Sequence, residues 1–266
     1  MNAGWRWGTA GGVLGALVAA VCFAPAAWLA TALAKHSSEH LQLADARGTV
    51  WRGSGVLVLS AGADSRSAIA LPGRVSWTLS WRGRGLELHA TQPCCLHEQF
   101  RLSAEPGLGR MTLRLAPTTG ATATWPAAWL AGLGAPWNTL QLGGMLRLQS
   151  QGLTLESAQG RLAFSGRAEL LLEAASSRLS TQDPLGSYKL SIDGQREAGG
   201  SAALNLATLQ GPLLLSGQGQ WGGASGAAAL RFRGEARAQA GAESALNNLL
   251  NVIGRRQGAL SVLTIG

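Results

Sequence analysis

The chain has 266 residues and a net charge of +8, with 46% hydrophobic and only 14% charged side chains. That hydrophobic share excludes a disordered tail, while a globular domain ordinarily carries about 25% charged residues. The shortfall points to surface buried against lipid or a partner. Arginine supplies nearly all the positive charge, Lys35 and Lys189 being the only lysines, and it is spread along the chain. A nucleic-acid protein concentrates such charge on one helix or loop, so no nucleic-acid partner is expected.

From Gly8 to Ala34 the chain is apolar, with no charged side chain between Arg6 and Lys35. A helix crosses a hydrocarbon core with about 20 such residues. A transmembrane anchor is therefore predicted at 8–34, after a short cytoplasmic N-terminus at 1–7. Trp5, Trp7 and Trp28 stand where interfacial rings would sit, and Pro25 would kink the helix without forbidding it. A cleaved signal peptide is the competing reading, since Ala32-Leu33-Ala34 supplies a small-x-small site. The apolar run is longer than the roughly 7–15 residues of such a peptide. Arg6 and Lys35 flank the stretch evenly, so loop charge gives no orientation. The functional body lies on the C-terminal side and is expected outside the cytoplasm.

Residues 35–40 read as a linker, and from Leu41 the text turns to strands. Val56-Leu57-Val58-Leu59 is a short apolar run between glycine and serine. Val75, Trp77, Leu79 and Trp81 alternate with Ser76, Thr78 and Ser80. Leu86, Leu88 and Ala90 repeat the pattern, as do Met111, Leu113 and Leu115. A period of two with one apolar and one polar face predicts antiparallel strands. A helix follows, with Pro126 in its first turn, Trp129, Leu130 and Leu133 on one side, and Gly134 as its stop. Strands resume at Leu140-Gln141-Leu142 and Leu146-Arg147-Leu148. Further strand signals are Leu162/Phe164, Leu170/Leu172, Tyr188/Leu190/Ile192, Leu204/Leu206, Leu213/Leu215 and Leu230/Phe232. A second helix places Leu246, Leu249, Leu250 and Ile253 on one face, with Ser244 as cap and Gly254 as stop. Leu260 to Ile265 closes the chain as a strand.

The two halves resemble each other. Leu43-x-x-Ala46-x-Gly48-x-Val50 matches Leu155-x-x-Ala158-x-Gly160-x-Leu162, and Gly73-x-Val75-x-Trp77-x-Leu79 matches Gly186-x-Tyr188-x-Leu190-x-Ile192. Leu113-Arg114-Leu115 meets Leu230-Arg231-Phe232, and the helix ending at Gly134 meets the one ending at Gly254. Matches in conserved order predict two β repeats, 41–150 and 151–266.

No constellation for chemistry stands in the text. There is no Gly-x-Ser-x-Gly elbow, phosphate loop or His-Glu-x-x-His. His36 and His40 fall in the linker, and His89 points away from the apolar face of its strand. Glu87, Glu156, Glu169, Glu173, Asp193 and Glu235 are each isolated on polar strand faces. Cys22 sits in the apolar run. Cys94 and Cys95 are adjacent, open to a vicinal disulfide, to pairing with another chain, or to remaining free thiols. His97 beside them lacks the further ligands a zinc site needs. No catalytic, cofactor-binding or metal-binding residue is assigned, no cofactor is expected, and the chain is not expected to be an enzyme. Of the ten tryptophans, Trp77 and Trp81 read as the edge of a sheet core, with a lipid or peptide groove as the alternative role for such rings.

Particular strings carry a resemblance: Leu71-Pro72-Gly73-Arg74, Ala135-Pro136-Trp137-Asn138-Thr139-Leu140-Gln141-Leu142-Gly143-Gly144, Thr208-Leu209-Gln210-Gly211-Pro212-Leu213, Ser216-Gly217-Gln218-Gly219-Gln220-Trp221, Phe232-Arg233-Gly234-Glu235-Ala236 and Leu249-Leu250-Asn251-Val252-Ile253-Gly254-Arg255-Arg256. In this order, behind a single N-terminal anchor, they resemble the type II secretion system protein N family across nearly the whole chain. The Cys94-Cys95 pair is not assigned to that pattern. The resemblance implies a single-pass inner-membrane protein with a periplasmic, mainly β domain similar to the AsmA-type groove proteins. It implies a non-enzymatic accessory subunit supporting export of folded proteins across the outer membrane, with other secretion subunits and membrane lipids as partners. The alternative is an AsmA-like lipid-binding or envelope-maintenance protein.

Overall fold

The computed structural model describes every residue except 1–2, 64, 66, 97–99, 119, 159–160, 195–200 and 223–229, with only the backbone course at 3–10. The apolar N-terminal stretch forms two helices, α1 (Ala3–Cys22) and α2 (Ala26–His36). It is thus not one helix over 8–34, and among the described residues no helix is long and apolar enough to cross a membrane. Pro25 explains the break. It has no N–H and disfavours the helical conformation at Ala24, and it is itself extended, with φ −67° and ψ 146°. The carbonyl that a helical residue 25 would have bonded is that of Val21. The indole N–H of Trp51 donates to it instead, at 2.7 Å. Val50 N–H donates to Ala24 O at 2.8 Å, and Pro25 bridges Thr49. The interruption is therefore held open by a turn elsewhere in the chain. Lys35 and His36, expected in a linker, complete α2, and Ala32-Leu33-Ala34 lies inside it.

The first strands are β1 (Leu41–Gly48), β2 (Arg52–Ser60), β3 (Ala68–Ala70), β4 (Val75–Arg82) and β5 (Gly85–Thr91). They are followed by β6 (Arg101–Gly107), β7 (Arg110–Leu115) and β8 (Ala123–Pro126). A 3₁₀ helix (Ala127–Leu133) and α3 (Trp137–Leu140) lead into β9 (Leu142–Ala158) and β10 (Arg161–Ser177). Then come β11 (Gly186–Gly194), β12 (Ala202–Gln210), β13 (Leu213–Trp221) and β14 (Leu230–Ala238). α4 (Glu243–Ile253), β15 (Arg255–Gln257) and β16 (Leu260–Ile265) finish the chain. All strands join one antiparallel sheet in the order β1-β2-β4-β5-β6-β7-β9-β10-β11-β12-β13-β14-β16-β15, with β3 on β2 and β8 on β9. The mainly β class expected from the alternating text is what the chain adopts.

Several local expectations are corrected. Leu140 is helical, and Gln141 takes a left-handed conformation that reverses the chain, so the strand starts at Leu142. From there it runs 17 residues without a break, and the separate signals at Leu162/Phe164 and Leu170/Leu172 are likewise one strand, β10. The position at 150/151 therefore falls inside β9. Pro126 precedes the 3₁₀ helix rather than occupying its first turn. Ser244 lies within α4 and does not cap it. Glu243 accepts the Gly241 N–H at 2.8 Å, so a carboxylate closes that turn. Trp77 is buried at 5% exposure, but Trp81 is 66% exposed and belongs to no core.

The registers give the sheet two unlike ends. The turns joining β1 to β2, β4 to β5 and β6 to β7 lie at one end, level with the end of β9, the start of β10, the end of β13 and the start of β14, beside the break between α1 and α2. The opposite end is capped by helices. There Leu246, Leu249 and Leu250 of α4 are buried with Leu140, Leu185, Tyr188 and Leu213. Ser261 Oγ donates to Leu250 O at 2.6 Å, and Ser180 Oγ donates to Ala245 O at 3.0 Å, tying α4 to its neighbours. The 3₁₀ helix packs on β2 so closely that a Cβ on Gly132 would collide with the Leu59 carbonyl, and Trp129 donates its indole N–H to Ile69 O at 2.9 Å.

Candidate functional site

Several of the titratable residues make hydrogen bonds or ion pairs within the fold. His36 Nδ1 lies 2.9 Å from Ala32 O, and His40 Nδ1 lies 3.1 Å from Ser60 O. His89 Nε2 is 2.5 Å from Glu87, which also meets Arg82 at 3.3 Å. The His89 hydrogen bond, chiefly, holds the Glu87 carboxyl below its usual range. Asp45 is likewise depressed by hydrogen bonds from Arg74 and Arg47. Glu105 pairs with Arg114, Glu173 with Arg147, Asp193 with Arg167 and Glu169 with Lys189. Each of these pairs links neighbouring strands and is at least partly exposed, an arrangement of small energetic consequence. Burial pushes the Tyr188 hydroxyl pKa up, and the group lies 3.1 Å from Leu185 O and 3.0 Å from Leu213 O. Among the described residues no three His, Cys, Asp or Glu side chains cluster as a metal site would require. His97 lies outside the described residues. Cys94 and Cys95 are joined as a vicinal disulfide, and Cys22 is free and exposed.

What the fold does assemble is a long apolar face. Opposed residues in antiparallel strands share a face, so the registers can be read as rows. Leu79, Leu88, Leu102, Leu115 and Leu153 form one row across β4, β5, β6, β7 and β9. Leu86, Ala104, Leu113, Leu155 and Phe164 form the next. Ile192, Leu204, Gly219, Phe232 and Ile265 continue the face in the second half. Most leucines of the first two rows are only half buried. The reverse face is polar, as in the row Glu87, Ser103, Arg114 and Thr154.

The sheet curls toward the apolar side. Phe164 on β10 and Trp221 on β13 have two strands between them, a separation of about 14 Å in a flat sheet. Their rings are 5.0 Å apart, and a Cβ on Gly222 would stand 3.5 Å from Leu162 O. The apolar face is therefore concave there. Sequence alternation identifies the rows' members strand by strand, but neither the curl nor the contact between Trp51 and the end of α1 has a local signal.

The sheet also has two unlike edges. β1 is flanked by α2, whereas β15 pairs only with Leu260, Ser261 and Val262 of β16. Beyond them Leu263 to Ile265 pair with β14 on one side only.

No curated protein and no solved structure matches the chain. A family model, type II secretion system protein N, matches residues 39–262, which is the whole sheet but its last few residues. The match begins after α2, so it rests on the β body and not on the apolar N-terminus. With more than half of the chain matched, the chain belongs to the type II secretion system protein N family.

Proposed function

We propose that this chain is a non-enzymatic accessory subunit of the type II secretion apparatus, attached to the inner membrane by its N-terminal segment with the β body in the periplasm. The observation that carries the reading is the family match over residues 39–262. The Cys94–Cys95 disulfide supports an oxidising compartment. The apolar run 8–34, carried by α1 and α2 together, supports attachment to the membrane. Its Val13, Leu14, Leu17, Val18 and Val21 are all exposed, covering no surface of the protein itself. The body reads as two repeats, 41–150 and 151–266. Along the main path of the sheet, six strands of each (β1, β2 and β4 to β7; then β9 to β14) are followed by a helix and a closing strand, with β3 and β8 off that path, and β9 serves both as closing strand of the first and as opening strand of the second.

Other subunits of the apparatus are the partners in this reading, and the half-open β16 offers them backbone groups to pair with. The test is in-cell photocrosslinking from Leu263 and Ile265, combined with deletion of the gene. Adducts to secretion subunits, with loss of export on deletion, are expected. Unchanged secretion and unchanged assembly of the apparatus in the deletion strain would overturn the proposal. The concave apolar face favours a second reading, an AsmA-like lipid-binding module. Native mass spectrometry of the chain from detergent-free extracts is its test, and absence of co-purified lipid would count against it.

A further inference from the structure

We infer that the hairpin end of the sheet beside α1 is a docking surface for an anionic lipid bilayer, a second membrane contact apart from α1 itself. Three consecutive features of one edge carry this. First, the break after α1 is bonded to the β1–β2 turn through Val21, Ala24, Val50 and Trp51, so α1 leaves the body from that edge. Phe23 and Trp28, on either side of Pro25, are 77% and 59% exposed. Second, the next turns along the edge present large apolar side chains at their tips. Trp81 precedes the β4–β5 turn and is 66% exposed, and Leu108 in the β6–β7 turn is fully so, at 105%. Third, arginines flank these tips. Arg84 lies in the β4–β5 turn, and Arg110 and Arg161 stand on either side of Ala158 in one cross-strand row. All three are exposed, and among the described residues none is ion-paired.

An apolar ring beside a cation at a protruding turn suits a bilayer interface, where the ring enters at headgroup depth and the cation meets phosphate. A protein partner is less well matched. The apolar groups sit on separate turns rather than forming one patch, and an interface core is ordinarily depleted of charge. The opposite end of the sheet is closed by α4 and carries the buried core. Continuity with α1 adds proximity, because a helix held in the bilayer keeps these turns near its surface at high effective concentration. The inference rests on the reading of α1 as membrane-embedded.

The experiment uses the full chain reconstituted in vesicles of phosphatidylethanolamine with phosphatidylglycerol, carrying a photocrosslinking residue at one position at a time. Positions Trp81 and Leu108 are expected to yield lipid adducts, as is Val18 in α1, whereas the exposed Leu209 at the capped end is not. Near an anionic surface each arginine is worth about fivefold in partition. Replacing Arg84→Gln, Arg110→Gln and Arg161→Gln together should therefore lower the ratio of contacting to free turns by about a hundredfold, as should pure phosphatidylcholine vesicles. Lipid adducts at Val18 but not at Trp81 or Leu108 would refute the docking surface and leave the attachment by α1 standing. No adduct at Val18 would overturn the attachment, and the docking surface with it. Adducts at Trp81 and Leu108 that ignore both the arginine changes and the lipid charge would refute recognition of an anionic surface. Adducts from these positions to a secretion subunit in cells, in place of lipid, would make the edge a protein interface instead.

Discussion

Leu249→Ala tests the cap that gives the sheet its two unlike ends. The Leu249 side chain is 1% exposed and sits in a cluster with Leu140, Leu185, Leu213, Leu246 and Leu250. Truncation to alanine removes the buried transfer energy and leaves a cavity, at a combined cost of about 2–5 kcal/mol. The neighbours come from α3, β13, α4 itself and the segment before β11, which the sheet holds apart, so little collapse is expected. A cost of about 3 kcal/mol is reasonable, or two orders of magnitude in the unfolding equilibrium. For a chain of this size that lowers the melting temperature by about 6–12 °C. The assay is thermal unfolding of the full chain in detergent, followed by intrinsic tryptophan fluorescence. Val252→Ala on the same helix is the control, since Val252 is 40% exposed and its truncation should cost about 0.5 kcal/mol or less. Equal shifts for the two variants would mean that α4 is not docked by its Leu246/Leu249/Leu250 face, and the capped end would have to be abandoned.

Two further outcomes follow from the ion pairs and the thiols. Asp45 has its folded pKa depressed below 3.8 by Arg74 and Arg47, so its contribution to stability is present above about pH 4 and is lost as pH falls through the folded value. Asp45→Asn should therefore be less stable than the parent at neutral pH and match it in strong acid by denaturant titration; a gap that persists or widens on acidification would reject the pairing. In denaturant, maleimide should modify one thiol, Cys22, before reduction and three after it, read by mass spectrometry. Three modified thiols without reductant would remove the Cys94–Cys95 bond, and with it the support it lends to an oxidising compartment.

Much of the sheet was legible because its strands have one wet and one dry face. Val75 to Trp81, Leu86 to Ala90 and Met111 to Leu115 each alternate cleanly, and they are β4, β5 and β7. β6 lacks such a signal: Arg101–Gly107 has only Leu102 and Ala104 on its apolar side before Pro106 interrupts it. β3 and β8 are too short, at three and four residues, for a period of two to be counted. α4 is readable from the spacing of Leu246, Leu249, Leu250 and Ile253, while its N-terminal closure is not, because Ser244 is a good capping residue that the backbone places two residues inside the N-cap, Ala242. The carboxylates Glu87, Glu169, Glu173 and Asp193, isolated in the strand text, form cross-strand ion pairs that only the register brings together.

Taken alone, the sequence determined the β class, the strand faces, the amphipathic helix and the family, because each depends on residues near one another or on the order of short strings. Tertiary structure decided the rest. Whether the apolar run 8–34 is one helix or two depends on Trp51 and Val50 reaching the carbonyls of Val21 and Ala24. Whether Trp77 and Trp81, four residues apart on one face, are core or surface depends on what covers each. Trp77 donates to Val50 O at 3.1 Å beneath the β1–β2 turn, whereas Trp81 projects past the end of β2. The curl that brings Phe164 to Trp221 arises from the accumulated twist of strands between them, a property of the whole sheet that no single strand's sequence encodes.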